Sequence, residues 1–185
     1  QLDMVRSMID MYREGGWLPR WELIGRETLT MEGDPAIPVI VDTWLKGLRG
    51  YDIETAYEAM LKSATLPSEA NLLRRDNDDY LRLGYVPLRG KYDNSVSHAL
   101  EYYVADHALS ILADSLGHKK EAERFYKQSL GYRHFFDPAT KTLRPKLPDG
   151  SFLSPYDPLC PPRHPRAGPS PRRARSLRPS PAERI

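Results

Sequence analysis

Cysteine is almost absent: one residue, Cys160, in a chain of 185. A disulfide framework within the chain is thereby excluded, and so is a zinc site built on paired thiolates. Histidine is nearly as scarce, at five. His98 and His107 lie on different faces of any helix that carries them, and neither an HxxxH nor an HExxH spacing occurs, so no protein-only transition-metal site can be argued. There is no glycine-rich phosphate loop and no GxSxG nucleophile elbow. No apolar run approaches the roughly 20 residues that cross a bilayer, and no signal-type segment is visible.

What is plentiful is unevenly spread. The segment after Pro158, LCPPRHPRAGPSPRRARSLRPSPAERI, holds seven prolines and seven arginines, with Glu183 as its only acid. The formal charge of +2 therefore divides into +6 for residues 159–185 and −4 for the remainder, so the part able to fold is mildly acidic. Such a composition predicts a disordered tail. It could be a nucleic-acid arm or a proline-rich linker. The reading adopted is a third, that 159–185 is a frameshift or assembly artefact, since Pro, Arg, Ala, Gly and Ser are what GC-rich DNA encodes out of frame. The first residue, Gln1, sits inside a helical pattern without an initiator Met, and both ends are expected to be those of a fragment.

Helical periodicity dominates residues 1–158. Leu2, Val5, Ile9 and Tyr12 form one stripe. Ile37, Ile40, Val41, Trp44, Leu45 and Leu48 form a second, and Ile53, Ala56, Tyr57, Met60, Leu61 and Ala64 continue it after a turn near Gly50. Val96, Leu100, Val104, Ala108, Ile111 and Leu112 predict a third long face ending at Gly117, and Ala122, Phe125, Tyr126 and Ser129 a fourth. Asp52, Asn94 and Ser95 are the expected N-caps. The pattern predicts two helical hairpins, 36–64 and 95–133, with turns at Gly50-Tyr51-Asp52 and Gly117-His118-Lys119 short enough to force antiparallel packing. Asn71 to Asp93 reads as a polar connection, and FDPATK and PDGS as turns in an extended loop. Short turns on one side and long loops on the other predict an all-α fold, a partial α-toroid, with an open helical-repeat array as the rival.

The richest of those loops is Gly15 to Asp34, GGWLPRWELIGRETLTMEGD. Connections between helices are mostly short, about 2–8 residues, and drawn from small polar residues. This one is long and carries two tryptophans, Glu22, Glu27, Glu32 and Asp34. Loops on a rigid scaffold are where binding and catalysis concentrate. Tryptophan beside carboxylates suits a sugar, which offers an apolar ring face and hydroxyls, and glycoside hydrolysis needs a pair of carboxyls. Solvated loop acids are the bland alternative. Glu101 and Asp106 on the third stripe stand about 140° apart around a helix and cannot face one point. Glu101, next to Leu100 and Val104, is expected to be partly buried and so to need a partner or a function. Trp17, Trp21, Tyr85 and Tyr92 are candidates for stacking on sugar rings. Trp44, Tyr57, Phe125 and Phe135 are expected in the core.

The blocks GGWLPRWELIGRETLTMEGDPAIPVIVDTWLKGLRGYDIETAYEAM, GYVPL, SVSHALEYYVADHALSILADSLG and FDPATKTLRP with PDGSF, in that order, strongly resemble glycoside hydrolase family 92. That family comprises exo-acting, inverting, calcium-dependent α-mannosidases of bacteria that act on mannans and N-glycan mannose. The resemblance covers about Gln1 to Pro158 and implies an internal piece of an (α/α)6 barrel catalytic domain. It implies a general acid in an EGNxWQ-type segment, and a general base and calcium ligands in HGNExSHH-like and GNxDxGQ-like segments. None of these is in the sequence, nor is the family's N-terminal β-sandwich. Where the family shows two adjacent acids followed by Trp, this chain has Ala105, Asp106 and His107.

The resemblance thus implies a chain without its own catalytic acid, base or calcium ligands, contributing sugar contacts through Trp21, Glu27, Asp34 and Glu101. It implies a mannose-containing glycan as partner, no nucleic acid or membrane, and a secreted or periplasmic parent protein whose N-terminal sandwich and remaining barrel half lie elsewhere in the polypeptide. The isolated chain is expected to be inactive. A helical-repeat interaction module and an arginine-tail nucleic-acid binder are the competing readings. The first would bury the tryptophans, and the second predicts steeply salt-dependent binding.

Overall fold

A computed structural model describes residues 1–23, 25–89 and 94–158. The tail from 159 onward, with Cys160, and Tyr92 lie outside the described residues. One compact unit spans Gln1–Ser154, and a second begins at Pro155.

Among the described residues of the first unit there are six helices: α1 (Leu2–Gly15), α2 (Ala36–Leu45), α3 (Ile53–Thr65), α4 (Asn77–Leu83), α5 (Ser95–Ser115) and α6 (Lys119–Ser129), with 3₁₀ turns at Ser68–Ala70 and Leu130–His134. Two short antiparallel ribbons complete it, β1 (Glu22–Leu23) with β2 (Arg26–Glu27), and β3 (Phe136–Asp137) with β4 (Thr142–Leu143). The fold is all-α, as the periodicity predicts; of the two expected hairpins, α5 and α6 pack closely on each other, whereas α2 packs chiefly on α5 rather than on α3. α5 is the hub, packing on α6 behind it in the chain and on α2 before it, while α1 leans on α2 and α3.

The core follows from the amphipathic faces. Val5 and Ile9 of α1, Ile37, Ile40 and Val41 of α2, Ala56 and Met60 of α3, Leu109 and Leu112 of α5 and Phe125 of α6 pack into one buried cluster. Asp52 starts α3 as expected, its carboxylate accepting from the Thr55 amide at 3.1 Å. The turn at Gly117 is closed by His118, whose ring stacks on Tyr57 at 4.8 Å between centroids.

Several expectations are corrected. The buried face of α5 is Ala99, Tyr102, Tyr103, Ala105, Asp106, Leu109, Leu112 and Ala113, not the stripe through Val104, which is 57% exposed. The aliphatic residues suggested one face, but α5 has apolar residues on more than one side, and the tyrosines set its orientation by meeting Tyr80 and Phe135 in a second buried cluster. Neither Asn94 nor Ser95 caps it through a side chain; the Asn94 amide donates to Glu32 instead. Trp44 is only half-buried, its indole donating to Ser115 at 3.0 Å with the Arg49 guanidinium 3.6 Å above the ring. The polar connection between the hairpins contains α4, a short helix stopped by Gly84 in the left-handed region (φ 78°). FDPATK is the tip of the β3–β4 ribbon. PDGS is a turn, Gly150 donating to the Leu147 carbonyl at 3.0 Å.

Candidate functional site

The loop from Gly15 to Asp34 is ordered from within. Gly16 caps α1 in the left-handed conformation, and Leu18 drops into the helical core with 2% of its surface left exposed. The β1–β2 ribbon then turns the chain back through Gly25. Glu27 closes the structure: one carboxylate oxygen accepts from the amides of Arg20 (2.6 Å) and Trp21 (2.9 Å), the other from that of Leu29 (2.7 Å). Burial pushes the Glu27 carboxyl up, but the three backbone amides and nearby Arg20 outweigh it and hold it below the usual glutamate range. Arg20 ties the loop to its surroundings by donating to the carbonyls of Met31 and Leu73. Trp21 is left standing outward, 47% exposed.

The loop ends in a network of charges. Asp34 is 1% exposed; its carboxylate accepts from Ser63 at 2.5 Å and from Arg74 Nε at 3.2 Å. Arg74, fully buried, donates through its other arm to Asp106 at 2.8 Å, and the Tyr80 hydroxyl donates to the second Asp106 oxygen at 2.7 Å. The Tyr102 ring lies 4.8 Å from the guanidinium carbon. Burial by itself would lower the Arg74 pKa, but Asp106 and then Asp34 reverse it, and the guanidinium is held charged well above the ordinary range. Burial pushes the Tyr80 hydroxyl up, and the neighbouring Asp106 pushes it further.

Beside this pair runs a second chain of contacts: Tyr102 hydroxyl to Asp76 (2.7 Å), Asp76 to His98 Nδ1 (3.3 Å), His98 Nε2 to Glu32 (3.5 Å). Two consecutive stretches of the loop's end are thus tied to α5 and to residues 74–76.

The four expected sugar contacts fall into two groups. Trp21 and Glu27 are brought together, the carboxylate of one holding the amide of the other. Glu101 and the loop's end also meet: a methyl group on Gly33 would come 2.7 Å from Glu101 Cβ, so only glycine, here at φ 87°, lets the loop lie on that side chain. Glu101 is exposed, contrary to the expected partial burial, because α5 turns Asp106 inward in its place. Asp34 presents almost no surface. Tyr85, a candidate stacker, is 5% exposed and donates to the Leu147 carbonyl at 3.0 Å, so it is a core residue. Trp17 is half-buried with the Lys62 ammonium 4.6 Å from its ring centroid.

Sequence reasoning missed Arg74, Asp76, Glu32 and His98 as a connected set. Asp106 was readable, since it shares a helical face with Tyr102, Tyr103 and Leu109. Arg74 was not, because nothing in NLLRRDND separates the buried arginine from the exposed Arg75. Among the described residues no group of three or more His, Cys, Asp or Glu is arranged to hold a metal ion.

The loop thus presents an exposed Trp21 above a helical scaffold, and comparison with known proteins gives the chain a class. The chain is 30% identical to a family GH92 inverting mannosidase from Bacteroides thetaiotaomicron, superposing with a TM-score of 0.76 over 83% of this chain and 21% of that one. It is 34% identical to a family GH92 α-mannosidase of the same organism in complex with mannoimidazole, with a TM-score of 0.76 over 84% of this chain and 20% of that one. A curated relative, an uncharacterized secreted glycosidase of Arthroderma benhamiae, is 28% identical over 144 residues, 72% of this chain and 18% of that protein. Residues 1–172 match the glycosyl hydrolase family 92 catalytic domain, and the chain belongs to that family. The helices are accordingly a partial helical toroid, and the chain spans about a fifth of the length of these relatives.

Proposed function

We propose that this chain forms part of the sugar-binding wall of an exo-acting α-mannosidase that removes terminal α-linked mannose with inversion. The observation that carries the reading is the 34% identity, over 84% of the chain, to an α-mannosidase solved with mannoimidazole, within a family match over residues 1–172. Inversion uses one carboxylic acid to protonate the glycosidic oxygen and one carboxylate to activate water on the opposite face, about 6.5–9.5 Å apart. We assign neither role to a residue of this chain.

The chain's own contribution is binding and positioning. Trp21, exposed at the loop's outer edge, offers a ring face to the sugar. Glu101, exposed where Gly33 lies on it, accepts a sugar hydroxyl. Glu27 holds the Trp21 backbone, and Asp34 anchors the loop on Arg74, so both serve the mannose by fixing the surface it meets. Calcium belongs to the proposal for the whole protein; among the described residues no three His, Cys, Asp or Glu side chains are grouped to hold an ion, and no step here runs through it. Secretion or a periplasmic home for the parent protein is proposed on the same footing, supported by the secreted glycosidase relative.

The exposure of Trp21 favours this reading over a helical-repeat interaction module, which would bury it. The test is hydrolysis of an aryl α-mannoside with calcium present. The 185-residue chain is expected to give no turnover, and a polypeptide that also carries the remaining barrel and the N-terminal sandwich is expected to give it. Turnover by the short chain that Asp34→Ala abolishes would overturn the division of labour. A longer polypeptide that leaves α-mannosides intact would overturn the activity.

A further inference from the structure

A groove of about 540 Å³ runs between Trp17 and residues 68–75, lined by Trp17, Ser68, Glu69, Asn71, Leu72 and Arg75. Neither Trp21 nor Glu101 lines it. Both of its walls are fixed before any ligand arrives. Trp17 is held by Lys62, whose ammonium sits 4.6 Å from the ring centroid and donates to the Gly16 carbonyl at 2.7 Å. The facing wall hangs on Asn71, which is 3% exposed. Its amide nitrogen donates to the carbonyls of Ser63 (2.8 Å) and Leu66 (3.1 Å), and its oxygen accepts from the amides of Leu73 (3.1 Å) and Arg74 (2.8 Å). A pre-formed recess loses little ordering entropy on binding.

The polar equipment of the groove selects its ligand by charge. Glu69 and Arg75 are both exposed, one supplying only acceptors and the other only donors. An anionic ligand, a phosphate or a nucleic-acid backbone, meets the Glu69 carboxylate; a cation meets the Arg75 guanidinium. A neutral polyhydroxylated ring satisfies both at once, because each hydroxyl donates and accepts, and its axial C–H groups can lie against an indole.

We infer that this groove is a glycan subsite for a neutral hexopyranose residue, additional to any contacts made by Trp21 and Glu101. The inference rests on the glycan-acting reading above and names where a sugar residue beyond the terminal mannose is held.

The test uses the whole 185-residue chain, with its fold checked by circular dichroism, titrated with an α-linked mannobiose and read by saturation-transfer NMR and indole fluorescence. Trp17→Leu and the double variant Glu69→Gln/Arg75→Gln are each expected to weaken binding at least tenfold, and Trp21→Ala to weaken it less. The double variant changes only exposed side chains, so it remains informative if Trp17→Leu fails to fold. Mannobiose binding unchanged in the double variant would overturn the subsite. So would mannose 6-phosphate binding to the chain more tightly than mannose in a Glu69- and Arg75-dependent way, since that marks an anion site. Binding abolished by Trp21→Ala alone would overturn the subsite while leaving the mannosidase reading standing. Absence of any mannoside binding would overturn the subsite, whereas the mannosidase reading is decided separately by turnover in the longer polypeptide.

Discussion

Arg74 and Asp34, forty positions apart in sequence, meet at 3.2 Å with 0% and 1% of their side chains exposed. The same guanidinium holds Asp106, so one buried cation anchors the end of the tryptophan-bearing loop to the hub helix. Removing one member of a buried ion pair leaves an uncompensated charge, which costs more than the pair contributes. Arg74→Met strands two buried carboxylates and is expected to destabilise the chain by about 3–5 kcal/mol. Urea unfolding followed by circular dichroism measures it; a loss under ~1 kcal/mol would show that the network is not structural.

Glu27 makes the loop sensitive to acid. Its folded pKa lies below its ordinary 4.5, so the stability it contributes is fully present above that value and fades as pH falls through the lower, folded pKa. Indole fluorescence and loop proteolysis are expected to report loosening of residues 20–29 below about pH 4.5. Glu27→Gln is expected to show the loosened state at neutral pH. A loop equally protected in the variant would remove Glu27 from its assigned place.

Gly131 lies where a side chain has no room. A methyl group there would come 2.5 Å from Tyr103 Cε1 and 2.6 Å from the Gly84 carbonyl oxygen. Gly131→Ala is expected to cost about 1–3 kcal/mol by overpacking, read as a lowered Tm. An unchanged Tm would mean that α5 and the turn after α6 are free to part.

The cap on α3 is a smaller effect. Asp52→Ala removes the bonds to the Thr55 amide and hydroxyl, at 3.1 and 2.7 Å, and a salt bridge to Arg13 at 2.7 Å. The expected loss is about 1 kcal/mol, the usual worth of an N-cap. Asp52→Asn, which still accepts from the amide, is expected to recover most of it in the same denaturation series.

The helices were legible because their residues obey a single rule, apolar side chains every three to four positions. Val5, Ile9, Ile37, Ile40, Met60 and Phe125 all lie where that rule puts them. α5 broke the reading because its buried face is built from Tyr102, Tyr103 and Asp106, whose polar atoms disguise it until Tyr80, Asp76 and Arg74 are seen to satisfy them. At the candidate site, the backbone bonds of Glu27 and the burial of Asp34 are tertiary facts. A carboxylate in a loop looks the same in sequence whether it faces water, three amides or an arginine. The four-residue helix-former deficit of DNDDYLRL likewise hid α4, which forms because Tyr80 can reach Asp106.

The four bonds of Asn71 have a consequence for anyone who moves this loop to another scaffold. By clamping the end of α3 to the chain leading into Arg74, Asn71 makes residues 63–77 the foundation on which the tryptophan loop is seated. A graft of residues 15–34 alone would arrive without its footing. The smallest portable cassette is discontinuous, the loop together with 63–77 and the first three turns of the hub helix.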